Sequence, residues 1–163
     1  MSTYSSPSLS NSSIQQQFAK VVVNAETGQH ALHAALFFEK GSVITEFSAR
    51  AVFATPDYLT IQVDDEQHIS LLPECLQYTN HSCEPNVFFD TIDMQLIALC
   101  NIKPGEELLF FYPSTEFQMA QPFECRCQSE KCIGIISGAV NLSKSELQQY
   151  RLTEFIQKKL SIL

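Results

Sequence analysis

A β-dominated domain with a single C-terminal helix is the fold class this chain predicts. Three observations carry it. Short runs rich in Val, Ile, Phe and Thr recur along the chain with turn residues between them. Two pairs of runs flank acidic turn residues in the manner of hairpins. Helical periodicity is sustained only near the C-terminus.

The elements follow in order. Residues 1–17 are Ser-rich, with neither an apolar core nor a basic start, and read as a disordered tail that is not a secretory signal. Phe18 to Val23 is apolar and β-rich. Ala31 to Phe38 and Val43 to Phe53 follow as strands, separated by the turn Glu39-Lys40-Gly41. Tyr58 to Val63 and His68 to Leu72 form a hairpin around Asp64-Asp65-Glu66. Pro73 to Tyr78 suits one helical turn with proline at its first position. Val87 to Thr91 and Gln95 to Leu99 form a second hairpin around Ile92-Asp93, and Glu107 to Tyr112 is a further strand. Ser143 and Glu146 have the spacing of a capping box. Leu147, Tyr150 and Phe155 then recur at helical intervals, which predicts a helix from about 144 to 160. Periodicity alone does not say which β-rich fold this is.

Ten basic against eighteen acidic residues leave a net charge of −8. That argues against a broad electrostatic grip on nucleic acid and is compatible with attracting a basic peptide. No apolar run approaches the ~20 residues that span a bilayer, so no membrane association is expected. Without an export signal the expected setting is intracellular, nuclear or cytoplasmic, where thiols stay reduced. Six cysteines permit disulfides arithmetically. Their clustering favours metal: Cys125, Cys127 and Cys132 can converge on one ion, although a structural zinc site wants four ligands. Cys75 and Cys100 lie in apolar runs and read as small core residues.

The chemistry-bearing motifs are Asn80-His81-Ser82-Cys83-Glu84-Pro85-Asn86, then Gly105-Glu106-Glu107-Leu108 running into Tyr112, then Cys125-Arg126-Cys127 with Cys132. In this order and spacing they resemble the SET-domain methyltransferases that carry a post-SET zinc segment, over about Ala31 to Gly134. The resemblance implies a SET-domain fold of several small β-sheets with a knot-like C-terminal segment. It places the SET domain at 18–120, the zinc-bound post-SET segment at 121–138 and a C-terminal helical segment at 139–163. No pre-SET cysteine cluster is present.

The resemblance also implies roles. Cys83 becomes the fourth zinc ligand beside Cys125, Cys127 and Cys132. S-adenosylmethionine (SAM) contacts fall to His30, Ala31, Leu32, His33, Asn80, His81, Tyr112 and Phe123. Tyr112 stands at the catalytic tyrosine and Phe110 at a Phe/Tyr switch, where Phe leaves room for more than one methyl. The implied activity is direct, in-line methyl transfer from SAM to a protein lysine or basic peptide, histone tails included. A small amine substrate and an inactive SET-like binding module are the alternatives. Several positions depart from the family pattern: Ala31 and Ala49 replace glycines, and Phe47 replaces a frequent active-site tyrosine. Leu109 and Phe111 replace the usual Thr and Asp, and Gln77 replaces an Arg.

Overall fold

The computed structural model describes residues 17–163, so nearly all of the Ser-rich tail lies outside the described residues. The chain builds five small sheets among those residues. β1 (Ala19–Val23) and β2 (His30–Ala34) form an antiparallel ribbon with Ala19 opposite Ala34. β3 (Val43–Glu46), β8 (Val87–Asp90) and β9 (Gln95–Ala98) form a second sheet with β9 at its centre. β4 (Ser48–Phe53), β5 (Ile61–Asp64) and β6 (Gln67–Leu72) form a third around β6. β7 (Asn80–His81) runs parallel to β10 (Leu109–Phe110), and β11 (Phe123–Glu124) pairs with β12 (Ile135–Ile136).

Both anticipated hairpins form. β5 and β6 turn through Asp65-Glu66. Between β8 and β9, the Asp90 carboxylate accepts the Ile92 and Asp93 N–H groups, and Met94 takes a left-handed φ of 54°. The core gathers where these sheets meet, on Leu32, Leu76, Phe89, Leu96, Ile102 and Leu108, all essentially without solvent exposure. Such residues contribute roughly 1.5–3 kcal/mol each through burial.

Five expectations need correction. The strand expected over Glu107 to Tyr112 spans only Leu109–Phe110. The run from 43 to 53 is two strands in different sheets. It breaks at Phe47, whose N–H donates to the Met94 carbonyl while its ring turns into the core against Phe89, 5.5 Å away edge-on. The strand expected over Ala31 to Phe38 ends at Ala34. The helix expected from 144 to 160 is two short helices, α1 (Lys144–Leu147) and α2 (Glu154–Ser161), each with its own N-cap. Ser143 and Glu146 do close a capping box on α1, but Thr153 starts α2 afresh. The break falls where Tyr150 leaves the helical path to stack on Phe111, with ring centroids 3.6 Å apart. Finally, Cys100 is exposed, because the chain leaves the sheet after Ala98, whereas Cys75 packs partly buried on the core.

Candidate active site and thiol cluster

The turn after β7 is fixed from both sides. Asn86 clasps the strand before Tyr112: its Nδ2 donates to the Glu107 carbonyl at 2.8 Å and its Oδ1 accepts the Leu109 N–H at 2.8 Å. Asn80 Nδ2 donates to the His30 carbonyl at 3.0 Å and to Glu107 Oε1 at 2.9 Å. One amide therefore ties β2, β7 and the segment leading into β10 together. His81 Nδ1 accepts the Tyr112 N–H at 3.2 Å, and its Nε2 lies 3.4 Å from Cys83 Sγ. Burial pushes the His81 imidazole down to about 4, so the ring is neutral and both its nitrogens are engaged.

Tyr112 does not continue the strand. Phe111 is still extended, but Pro113 and Ser114 turn the chain into a 310 helix that begins at Tyr112. The side chain of Tyr112 stands where two cavities meet. The larger, about 950 Å³, is a groove walled by His30, Asn80, His81, Phe123, Cys125 and Cys127 among others. The smaller, about 290 Å³, is a channel lined by Leu71, Leu76, Phe89, Phe110 and Glu116, with segments 56–61 and 119–123 over it. Tyr112, Phe123, Gln77, Tyr58 and Leu59 border both. Burial, then the carboxylates of Glu107 and Glu116, push the Tyr112 phenol up to about 12, so the hydroxyl keeps its proton. It donates to the Thr79 carbonyl at 3.4 Å.

His30, Asn80, His81, Tyr112 and Phe123 all line the groove. Ala31, Leu32 and His33 do not. Leu32 is core, with its carbonyl accepting the Leu108 N–H, and His33 Nδ1 lies 2.8 Å from the Gly105 carbonyl. Ala31 sits in a regular strand without the left-handed backbone that would demand glycine. Phe110 lines the channel with its ring 4.7 Å from that of Tyr112. Phe47 lines neither cavity, and Gln77 lines both.

Beside the groove, the sulfurs of Cys83, Cys125, Cys127 and Cys132 lie within 4.8 Å of one another, with Cys83 and Cys125 3.9 Å apart. A tetrahedral zinc with bonds of ~2.3 Å places its sulfurs about 3.8 Å apart, so the four thiols fit such an ion. Burial first, and then the neighbouring Cys125 and Cys127 sulfurs, push the Cys83 thiol up. A dication among them supplies the charge that reverses this. The loop carrying three of the thiols is pinned by the Cys125 N–H donating to the Gly134 carbonyl at 2.7 Å.

Two contributors escape sequence reasoning. Tyr150 donates to the Cys83 carbonyl at 2.9 Å, so the C-terminal segment braces the cysteine turn. Glu116 reaches the channel as a buried carboxyl. Its sequence signal is a carboxylate four residues past Tyr112.

With this geometry in place, comparison with known proteins becomes specific. The SET domain family model matches residues 29–113. The methyltransferase flvH of Aspergillus flavus is 33% identical over 123 residues, covering 74% of this chain and 68% of that protein. The H3 lysine-36 specific histone-lysine N-methyltransferase of Saccharomyces cerevisiae is 26% identical over 122 residues, covering 66% of this chain but 16% of that protein. Among solved structures, KRYPTONITE in complex with mCHG DNA and SAH aligns with a TM-score of 0.55 at 24% identity, over 72% of this chain and 28% of that one, a likeness of fold. The matched span runs from the ribbon flanking the groove through the tyrosine that divides groove from channel, and on that ground the chain belongs to the SET-domain family.

Proposed function

We propose that this chain is a SAM-dependent N-methyltransferase that places methyl groups on an amine, with a protein lysine, histone tails included, as the first substrate class. The observation that carries this is Tyr112 at the junction of two cavities: a groove large enough for a nucleoside cofactor and a narrow apolar channel. SAM bound in the groove would supply an electrophilic sulfonium methyl. His30, Asn80, His81 and Phe123 would wall it in. Its methyl would face the channel beside the Tyr112 hydroxyl.

The residues of this chain then have three tasks. The Phe89, Phe110, Leu71 and Leu76 walls exclude water and disfavour an ammonium, which raises the fraction of amine with a free lone pair. Neutral Tyr112 offers its hydroxyl as a fixed point for alignment, and alignment is worth several kcal/mol in a displacement of this kind. The four thiols would hold zinc as a structural ion, locking the Phe123 to Cys132 segment against the Asn80 to Cys83 turn. The yeast and Drosophila relatives named as histone-lysine N-methyltransferases support the lysine reading and a nuclear setting.

A small amine substrate is the second reading. It is supported by the channel's modest volume, with 56–61 and 119–123 both contributing walls. One experiment addresses both: isotope-labelled SAM is offered with a histone H3 tail peptide and with free lysine, and products are read by mass spectrometry. Transfer to the peptide alone supports the first reading, and transfer to free lysine alone supports the second. Transfer to neither, with SAM bound, refutes both.

A further inference from the structure

The apolar walls favour the neutral amine, but none of them can take the proton that an arriving ammonium must lose. An amine reaches the channel chiefly as an ammonium, because its ordinary pKa is near 10.4, and the nitrogen must lose a proton before it can accept a methyl. Tyr112 is protonated and a poor acceptor at neutral pH. His81 has Nδ1 occupied by the Tyr112 N–H and Nε2 against the Cys83 sulfur, and it does not line the channel. Asp57, the other acid on the channel, is exposed and spends a carboxylate oxygen on the Leu59 N–H.

Glu116 is built differently. It is 7% exposed and lines the channel together with Tyr112, Phe110 and Thr79. One oxygen, Oε1, accepts the Gln62 N–H at 2.9 Å and the Thr115 hydroxyl at 3.1 Å. Those two donors fix the carboxyl plane. Among the described residues Oε2 has no hydrogen-bond partner, and it is not one of the sealed, unpartnered polar atoms, which are His68 Nδ1 and Ser114 Oγ. Glu116 lines the channel, and Oε2 is its carboxyl oxygen without a protein partner among the described residues. The backbone is held as firmly. The Glu116 carbonyl accepts the Ala139 N–H at 2.9 Å, and Gly138 packs so closely that a β-carbon there would lie 2.5 Å from the Phe117 carbonyl oxygen. Tyr112 lines the same channel, and its phenol is pushed up by burial first and then by the Glu107 and Glu116 carboxylates.

We infer that Glu116 is the channel's ammonium-binding carboxylate and the base that takes the substrate's proton, a role that rests on the methyltransferase reading above. In the step, an N–H bond of the substrate ammonium breaks, its electron pair stays on nitrogen, and an O–H bond forms on Glu116 Oε2. The neutral amine then carries the lone pair that displaces the sulfonium methyl. The product leaves as a methylated ammonium, and the proton on Glu116 passes to solvent. Burial supports the assignment, since it pushes the Glu116 carboxyl up to about 7, where it can both accept and release a proton near neutrality. The titratable and charged groups disposed around it are Tyr112 and Asp57 on the channel, with His68 on β6 beside Gln62, and Lys159, paired with Asp65, over the Phe117 ring.

The test uses Glu116→Gln, which keeps the shape and an Oε1-like acceptor for Gln62 and Thr115, and Glu116→Asp, which keeps the carboxyl. The acceptors are the H3 tail peptide and free lysine, with SAM affinity measured by calorimetry. We expect the Gln variant to bind SAM within a few-fold of wild type. At neutral pH it should lose about 100-fold or more in kcat, as for removal of a general base, with KM for the amine raised. The loss should shrink toward pH ~10, where the amine supplies its own neutral form. Partial recovery in the Asp variant is expected. A Gln variant with wild-type kcat while wild type is active overturns the assignment alone, and so does a defect that is equal at all pH values. A wild type that transfers methyl to neither acceptor overturns the methyltransferase reading together with it. If the Gln variant is misfolded, a carbon-13 NMR titration of wild-type glutamate carboxyls decides: Glu116 titrating near neutrality and responding to added amine sustains the role, and a normal, unresponsive carboxyl removes it.

Discussion

Removing the Asn80 amide should damage fold and groove together. Asn80→Ala deletes the bond to the His30 carbonyl and the bond to Glu107 Oε1. The first is exposed and contributes little. The second is partly buried and charge-assisted, so together they are worth about 2 kcal/mol. For a chain of this size that lowers the melting temperature by roughly 4–8 °C. The same side chain forms part of the groove wall, and losing a polar partner at a buried ligand weakens binding by about tenfold. Differential scanning fluorimetry with and without SAM, followed by calorimetry, reads both numbers. Asn80→Asp sharpens the test: it keeps the shape but sets a carboxylate against Glu107, so it should melt below the Ala variant. An Ala variant that melts with wild type and binds SAM equally well would refute the tie between β2, β7 and Glu107, along with Asn80's place in the cofactor groove.

Further outcomes follow from the same geometry. Purified protein should carry one zinc per chain by elemental analysis, and chelation should lower both the melting temperature and SAM affinity; metal-free protein that is folded and binds SAM would contradict the four-thiol site. Tyr112→Phe should remove most transfer while leaving melting and SAM affinity nearly unchanged, because the hydroxyl's one hydrogen bond, to Thr79, is long at 3.4 Å; an unchanged single-turnover rate would place the chemistry elsewhere. Phe110→Tyr should shift products toward monomethyl, since an added hydroxyl and its water take space beside Tyr112; trimethyl product from the variant would refute that. Glu116 should also leave a stability signature. Its folded pKa is raised from 4.5 to about 7, so its contribution is present below about 4.5 and is lost as pH rises through about 7. His81, lowered to about 4, works in the opposite direction, so the difference between wild type and Glu116→Gln isolates the carboxyl. A constant difference across that window would be the contrary result.

The hairpins, the cysteine cluster and the Asn80 to Asn86 turn were legible because each is local: alternation, turn chemistry and ligand spacing act over a few residues. What could not be read locally is governed by distant partners. The capping box at Ser143 was visible, but nothing near Tyr150 announces that its ring leaves the helix for Phe111 and its hydroxyl for Cys83. Arg151 follows it outward, to the Asp90 carboxylate and the face of Phe88. The strand toward Tyr112 looked continuous, yet the Tyr112 N–H is taken by His81, a partner 31 residues away. Glu116 was hidden for the same reason. A carboxylate in Pro-Ser-Thr-Glu-Phe reads as a surface loop until β5 supplies the Gln62 N–H that draws it inside.

The thiol cluster joins Cys83 to a segment beginning 42 residues later, and residues of both segments line the groove. A zinc ion held by these thiols and a cofactor held in the groove would therefore stabilise one and the same closure of the chain. Thermodynamic linkage makes such coupling reciprocal. Whatever factor the metal adds to cofactor affinity, the cofactor must add to metal affinity. The protein would then be hardest to strip of metal when its groove is filled, and an ion lost to a competing chelator would be lost chiefly between turnovers.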